Sequence, residues 1–318
     1  MAPAERRSHR RTFEASLVAA GIGLVGLLVP APARATYSVV LADRTSGTVA
    51  VGVASCVPLE VVKRVAGLVR GKGAFVTQSH LFAPAHIEAS RALGAGEEPS
   101  GIVSRLLEPR FDADAGLRQY AVATLDGAVA SHTGDRTFAF ASHATYREDG
   151  LVVAIQGNVL TGRDTLDAMA TAFVGEKGDP LERLVAAFEA PSSHAPVLGD
   201  ARCTGFGRSA LSATLDIMAL DEGDDLHAEA EVDSGGVDPL RGIRAAFMAY
   251  RDARKPSLNR GRPGPVVPPA AAWAPAETSG CASSGRGVRE PSAAALTLLL
   301  GLVVMARVGR RCLGIAVD

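Results

Sequence analysis

Thr36 has the most chemistry to offer in this chain, because of what stands before it. Basic residues 1–11, an apolar run over 15–29, and small Ala33 and Ala35 make the three parts of an export signal. A cut after Ala35 leaves Thr36 with a free α-amino group beside its own hydroxyl. That amine has a reference pKa of about 7.7–8.0, so it can act as a base at neutral pH. Hydroxyl and base on one residue make an N-terminal nucleophile, which attacks a carbonyl carbon and forms an ester. On position alone the plainer reading is preferred: Thr36 is simply the residue that follows an export cut.

Such a nucleophile needs donors for an oxyanion and a group that orients the amine. Asn158 leaves an apolar run directly after Gln156 and Gly157, so its amide can serve as the donor, with Gly157 letting backbone approach closely. Gly-Asn is also ordinary turn chemistry. Ser55 ends a strand-like run and can orient the amine, or can be a satisfied strand-end hydroxyl. Gln78 ends another run and reaches the same cleft or is exposed. His132 is a second base, a substrate ligand or a structural histidine. Asp200 and Arg202 can pair and shape the cleft or bind a carboxylate substrate, or form an ordinary ion pair. Lys72, between two glycines, reads as a surface turn rather than a group tuning the hydroxyl.

Other chemistries lack their residues. There is no Gly-x-Ser-x-Gly elbow, phosphate loop, dinucleotide fingerprint or EF-hand, and no cofactor is expected. No cysteine pair has zinc spacing, and the histidines between 80 and 86 lack the metalloprotease pattern, so no metal site is expected. Residues 36–255 carry 21 Lys/Arg against 29 Asp/Glu, a net charge of −8. This balance argues against nucleic acid as a partner.

The ends read as addressing and the middle as fold. Residues 1–35 form the signal, and Arg10-Arg11-Thr12-Phe13 leaves general secretion and the twin-arginine route both open, since Glu14 departs from the latter. Six prolines between 256 and 275 mark a linker over 256–291. Gly280-Cys281, an apolar run from 292 to 306 and Arg307, Arg310 and Arg311 follow. That tail resembles a myxobacterial-type C-terminal sorting tail, with 292–311 as the anchoring segment and Cys281 as a processing or lipidation point. An ordinary single-helix anchor is the alternative. Either way residues 36–255 are expected outside the cytoplasm, in the cell envelope or at the surface. Signal peptidase and a sorting machinery are the implied partners, with membrane contact through the tail only. In that compartment Cys56 and Cys203 are either a disulfide or two buried thiols.

Strands are expected over 36–43, 48–54, 73–78, 118–124, 128–132, 151–156, 209–220 and 226–232, the apolar 151–156 run being central. Helical periodicity covers Ile87–Leu93 and, after Pro99, Ile102–Leu107. Further helices are capped by Asp164 and opened by Asp179-Pro180 and Asp238-Pro239. Hairpins, helices, a hairpin and a helix suit an α+β layered sandwich within a single domain.

Several runs resemble domain-of-unknown-function family 1028, an N-terminal-nucleophile (Ntn) hydrolase-like group. They are Thr36–Val40, Val53–Cys56, Gly71–Gln78, Arg118-Gln119, Ser131–Gly134, Gln156–Leu160 with Gly162, Gly199–Arg202, Gly207–Ala210, Val232-Asp233 and Asp238–Leu240. The resemblance implies four layers, αββα, with the nucleophile on the first strand. It implies hydrolysis of a carbon–nitrogen amide bond, in a small molecule or a peptide, and names no substrate. Phe138–Ser142 and Cys203-Thr204 depart from the family's pattern, in loops beside the cleft. The rival expectation is a non-catalytic surface protein that uses the same fold to bind a ligand or cell-wall component. Oligomeric state stays open between a monomer and a homo-oligomer.

Overall fold

The computed structural model describes residues 35–148 and 150–258, with side chains through 254, and the backbone of 273–275. The expected signal apart from Ala35, most of the linker, Cys281 and the tail lie outside the described residues. Among those described, no helix is long and apolar enough to cross a membrane.

The first hairpin is the centre of the molecule. β1 (Thr36–Asp43) and β2 (Thr48–Ser55) pair antiparallel, and every residue of both is buried. Strands buried on both faces are largely apolar on both, as the middles of these two runs are, Val39–Ala42 and Val49–Ala54. β1 also pairs with β8 (Leu151–Leu160), which pairs in turn with β7 (Phe140–Glu148). With β9 (Ser212–Met218), β10 (Leu226–Glu231) and β11 (Trp273–Pro275) they form a seven-stranded antiparallel sheet, ordered β10-β9-β2-β1-β8-β7-β11. A second, four-stranded sheet is ordered β3-β4-β5-β6, from Ala66–Val69, Gly73–Ser79, Arg118–Thr124 and Val129–Thr133.

Seven α-helices complete the described residues: α1 (Leu59–Val62), α2 (Ala83–Gly94), α3 (Pro99–Leu106), α4 (Arg163–Gly175), α5 (Pro180–Ser193), α6 (Ala201–Thr204) and α7 (Leu240–Leu258). The result is an α+β fold of two antiparallel sheets. Three apolar clusters order its parts. Tyr37, Val39, Leu41, Val153 and Ile155 meet Met169, Phe173, Leu184, Phe188 and Phe247 of α4, α5 and α7. Val40, Val51, Val53 and Ala154 meet Ala74, Val76, Ala121 and Ala123 between the sheets. Phe75, Tyr120 and Val122 meet Leu93, Ile102 and Leu106 of α2 and α3 on the far side of the smaller sheet. Alternation along each strand sends successive side chains into different clusters.

Glycine permits one of these contacts. A Cβ on Gly52 would stand 2.9 Å from the Phe188 ring, so β2 and α5 approach only because that position has no side chain. Asp179 caps α5 by accepting from the Leu181 amide at 2.8 Å, with Pro180 in the first turn. Asp164 does not cap α4: Gly162 holds the cap position, and Asp164 lies within the first turn, where its charge favours the helix N-terminus.

Candidate functional site

The inter-sheet face changes character at one end. Towards Asp43 it is Val and Ala, whereas its other end carries Thr36, Ser38, Ser55, Gln156 and Asn158 from the large sheet. Gln78 and Gln119 meet them from the small sheet. All seven are buried. The polar end exists because neighbouring strands carry hydrophilic residues at register-matched positions: Thr36 opposite Asn158, Ser38 opposite Gln156, and Gln78 opposite Gln119.

Thr36 is 4 % exposed and still joined to Ala35. Its Oγ1 lies 3.4 Å from Ser55 Oγ. The Ser55 hydroxyl donates to the Ala35 carbonyl, and Arg202 Nη2 donates to the same oxygen at 3.2 Å. The carbonyl immediately before Thr36 therefore sits between a hydroxyl and a guanidinium. Beside Thr36 and Gln78, a slot lined by Val57, Val61, Val62, Val65, Ser79 and Leu81 measures about 10 Å³, roughly what one water needs.

Asp200 fixes Arg202. The carboxylate is fully buried and accepts from Arg202 Nη2 at 2.8 Å, Arg202 Nε at 3.1 Å and the Arg202 amide at 3.0 Å. It also accepts from the Cys56 amide at 2.6 Å, which ties α6 to the end of β2. Cys56 and Cys203 are joined by a disulfide across the same junction, so of the two cysteine readings the paired one is realised.

Gln119 is the hub of the amide network, although the sequence offered it only as part of a short motif. Its Nε2 donates to two backbone carbonyls, Gly157 at 2.9 Å and Ser142 at 3.0 Å, and lies 2.8 Å from Thr133 Oγ1. Its Oε1 accepts from Gln78 Nε2 at 2.7 Å and from Asn158 Nδ2 at 3.2 Å. Gln78 in turn accepts from the Ser38 hydroxyl at 2.7 Å. The amide hydrogens of Asn158 thus turn toward Gln119 and the Thr36 carbonyl, the latter at 3.5 Å, while its Oδ1 has no partner among the described residues. Neither amide atom of Gln156 has one.

A Cβ on Gly157 would stand 2.7 Å from Leu160 Cδ1, so a side chain there would require Leu160 to move. A register shift between Phe140 and Ser142 breaks the ladder opposite this stretch. His143, on β7, places Nδ1 2.9 Å from Thr133 Oγ1. Burial and then nearby His132 depress its pKa to about 4, so it is neutral at pH 7. His132 itself does not join the cluster. It pairs across the ladder with Tyr120, whose ring lies 6.4 Å away, on the face turned to α2 and α3. Burial lowers its pKa as well.

Backbone strain gathers at the same end. Ser79, Ala139 and Val159 are the non-glycine residues with positive φ among those described, at 74°, 51° and 51°. Ser79 follows Gln78 and Val159 follows Asn158. The Val159 amide donates to the Phe138 carbonyl at 3.1 Å, and the Phe138 ring lies 5.5 Å from that of His80. A β-branched residue in this region costs about 1–3 kcal/mol and persists only where its surroundings enforce it.

Residues 36–242 match the family of unknown function DUF1028, and the match opens at Thr36. The chain belongs to this family. The crystal structure of protein SPO2555 from Silicibacter pomeroyi, also of DUF1028, is similar in fold, with a TM-score of 0.52 at 21 % identity, covering 72 % of this chain and 95 % of that one. No curated protein matches. DUF1028 membership supplies no reaction, so the chemistry has to be argued from the cluster around Thr36. Among the described residues no group of His, Cys, Asp and Glu could hold a metal ion.

Proposed function

We propose that this DUF1028 protein is an exported hydrolase of the N-terminal nucleophile type, built on an αββα sandwich, and that it cleaves a carbon–nitrogen amide bond with Thr36. The observation that carries the reading is the Ala35 carbonyl held between Ser55 Oγ and Arg202 Nη2. Removal of residues 1–35 leaves those two donors beside the new α-amine and the Thr36 hydroxyl. The gathering of strained backbone around the same residues supports it, since strain of this kind concentrates at functional sites.

The chemistry then runs in two halves. The α-amine takes the hydroxyl proton as Thr36 Oγ1 bonds to the substrate's carbonyl carbon, and the carbonyl oxygen takes up negative charge against Ser55 and Arg202. The carbon–nitrogen bond breaks as the α-ammonium gives its proton to the leaving amine. Water, deprotonated by the same amine, clears the ester and releases the acid. Asp200 holds the guanidinium in place, and the disulfide holds the segment that carries both residues.

The test is hydrolysis of a panel of small amides, N-acyl amino acids and peptides by the processed protein, with Thr36→Ala prepared with the same start point as control. Turnover lost in Thr36→Ala, together with a transient acyl adduct on Thr36 in the wild type, supports the reading. Equal background rates for the two proteins across the panel remove its support and favour a binding protein on the same scaffold.

A further inference from the structure

We infer that Asn158 serves as the acceptor for the α-ammonium of Thr36, and that Gln119 is the positioning residue that holds Asn158 in that sense. The inference rests on the N-terminal nucleophile reading. An amide side chain presents an oxygen or a nitrogen depending on which way it is turned, and its neighbours decide. Backbone carbonyls can only accept, so the two that face Gln119, from Gly157 and Ser142, identify the atom between them as Nε2. Gln119 Oε1 therefore faces the other way, and the atoms that meet it, on Gln78 and Asn158, must be nitrogens. Asn158 is left with its oxygen outward, buried, unpartnered and across the ladder from Thr36.

Cutting after Ala35 turns one amide N–H into an ammonium with three donors and a positive charge, at a residue that is 4 % exposed while Ala35 is attached. Departure of residues 1–35 opens one side of that nitrogen to water, and the donors still turned toward the cluster need acceptors there. Ser55 Oγ is one candidate; of the two unpartnered amide oxygens on the same face, Gln156 Oε1 and Asn158 Oδ1, that of Asn158 belongs to the residue directly across the ladder from Thr36. An oxygen there favours the protonated amine, whereas burial favours the neutral one. The opposition keeps the base near neutrality. The titratable groups facing this end are Asp200 and Arg202, which pair with each other, and His143, which is neutral at pH 7.

The measurement is the pKa of the Thr36 α-amine in the processed protein, followed by NMR with ¹⁵N-threonine label, in wild type, Asn158→Asp, Gln119→Leu and the double variant. Asn158→Asp puts a carboxylate against the ammonium and should raise the amine pKa by about one unit or more. Gln119→Leu should lower it, because the Asn158 amide is free to turn. In the Asn158→Asp background the Gln119 change should have a much smaller effect, since a carboxylate presents an oxygen to the ammonium whichever way it turns. A purely structural role for Gln119 would shift the amine equally in both backgrounds. An unchanged pKa in Asn158→Asp, or a Gln119→Leu shift that persists undiminished beside it, overturns the inference. If Gln119→Leu does not fold, the Asn158→Asp titration decides alone. A start point other than Thr36 in the wild type defeats the functional reading instead, so the two failures are distinguishable.

Discussion

Replacing Cys56 and Cys203 together by serine should destabilise the domain without dismantling the Thr36 cluster. The disulfide spans 147 positions in sequence. In the chain-entropy treatment, closing a loop of that length restricts the unfolded ensemble by about 5 kcal/mol. The folded side loses less, because α6 keeps other anchors. Asp200 still accepts from the Cys56 backbone amide at 2.6 Å, and its own amide donates to Ser209 at 3.0 Å. Serine retains that backbone donor. For a domain of this size the loss corresponds to a fall in Tm of about 10–20 °C. Urea unfolding followed by circular dichroism, without reductant, gives both the midpoint and the slope. The slope should rise, because an uncross-linked chain exposes more surface on unfolding. A loss below about 1 kcal/mol with an unchanged slope would refute the reasoning, because it would mean that the cross-link does not restrict the unfolded chain.

Three further changes test individual parts. Val159→Gly relieves a φ of 51° while loosening the unfolded chain, so stability should hold or rise by up to about 1 kcal/mol; a loss beyond 1 kcal/mol in urea denaturation argues against strain at this position. Gly52→Ala drives a methyl to 2.9 Å from the Phe188 ring and should cost about 1–3 kcal/mol, and a neutral result would show that α5 yields freely. His143 has a folded pKa near 4 against about 6.5 when unfolded. Between those values the unfolded chain binds the extra proton, so its contribution is intact above pH 6.5 and is lost as pH falls toward 4. Relative to His143→Gln, the wild type should lose up to about 3 kcal/mol across that window, and parallel pH profiles for the two proteins would contradict the assignment.

Much of the scaffold was legible because its strands are apolar on the faces they bury. The 36–43 and 118–124 strands fall where alternation and turn chemistry place them, and the 151–156 run marks β8 as an interior strand. β7 was missed: His143, Thr145 and Arg147 alternate with buried Ala144 and Tyr146, but a small alanine and a tyrosine give that alternation little apolar contrast. β3 is four residues long and includes Gly67, too short a signal to separate from a loop. In the site, Thr36, Ser55, Gln78, Gln156, Gly157, Asn158, Asp200 and Arg202 do come together, because strand ends converge at one edge of the two sheets. Gln119 and His143 were missed as site residues, since nothing local distinguishes a glutamine at a hub from one at a surface. His132 sits one residue from Thr133, and a period of two sends it to the opposite face.

The account stands on Thr36 becoming the first residue of the working protein. Intact mass and N-terminal sequencing of the protein recovered from its native host read this directly. The account predicts a chain that starts at Thr36 with an unmodified amine. A chain that starts at any other residue, or one whose Thr36 amine is acylated, contradicts it.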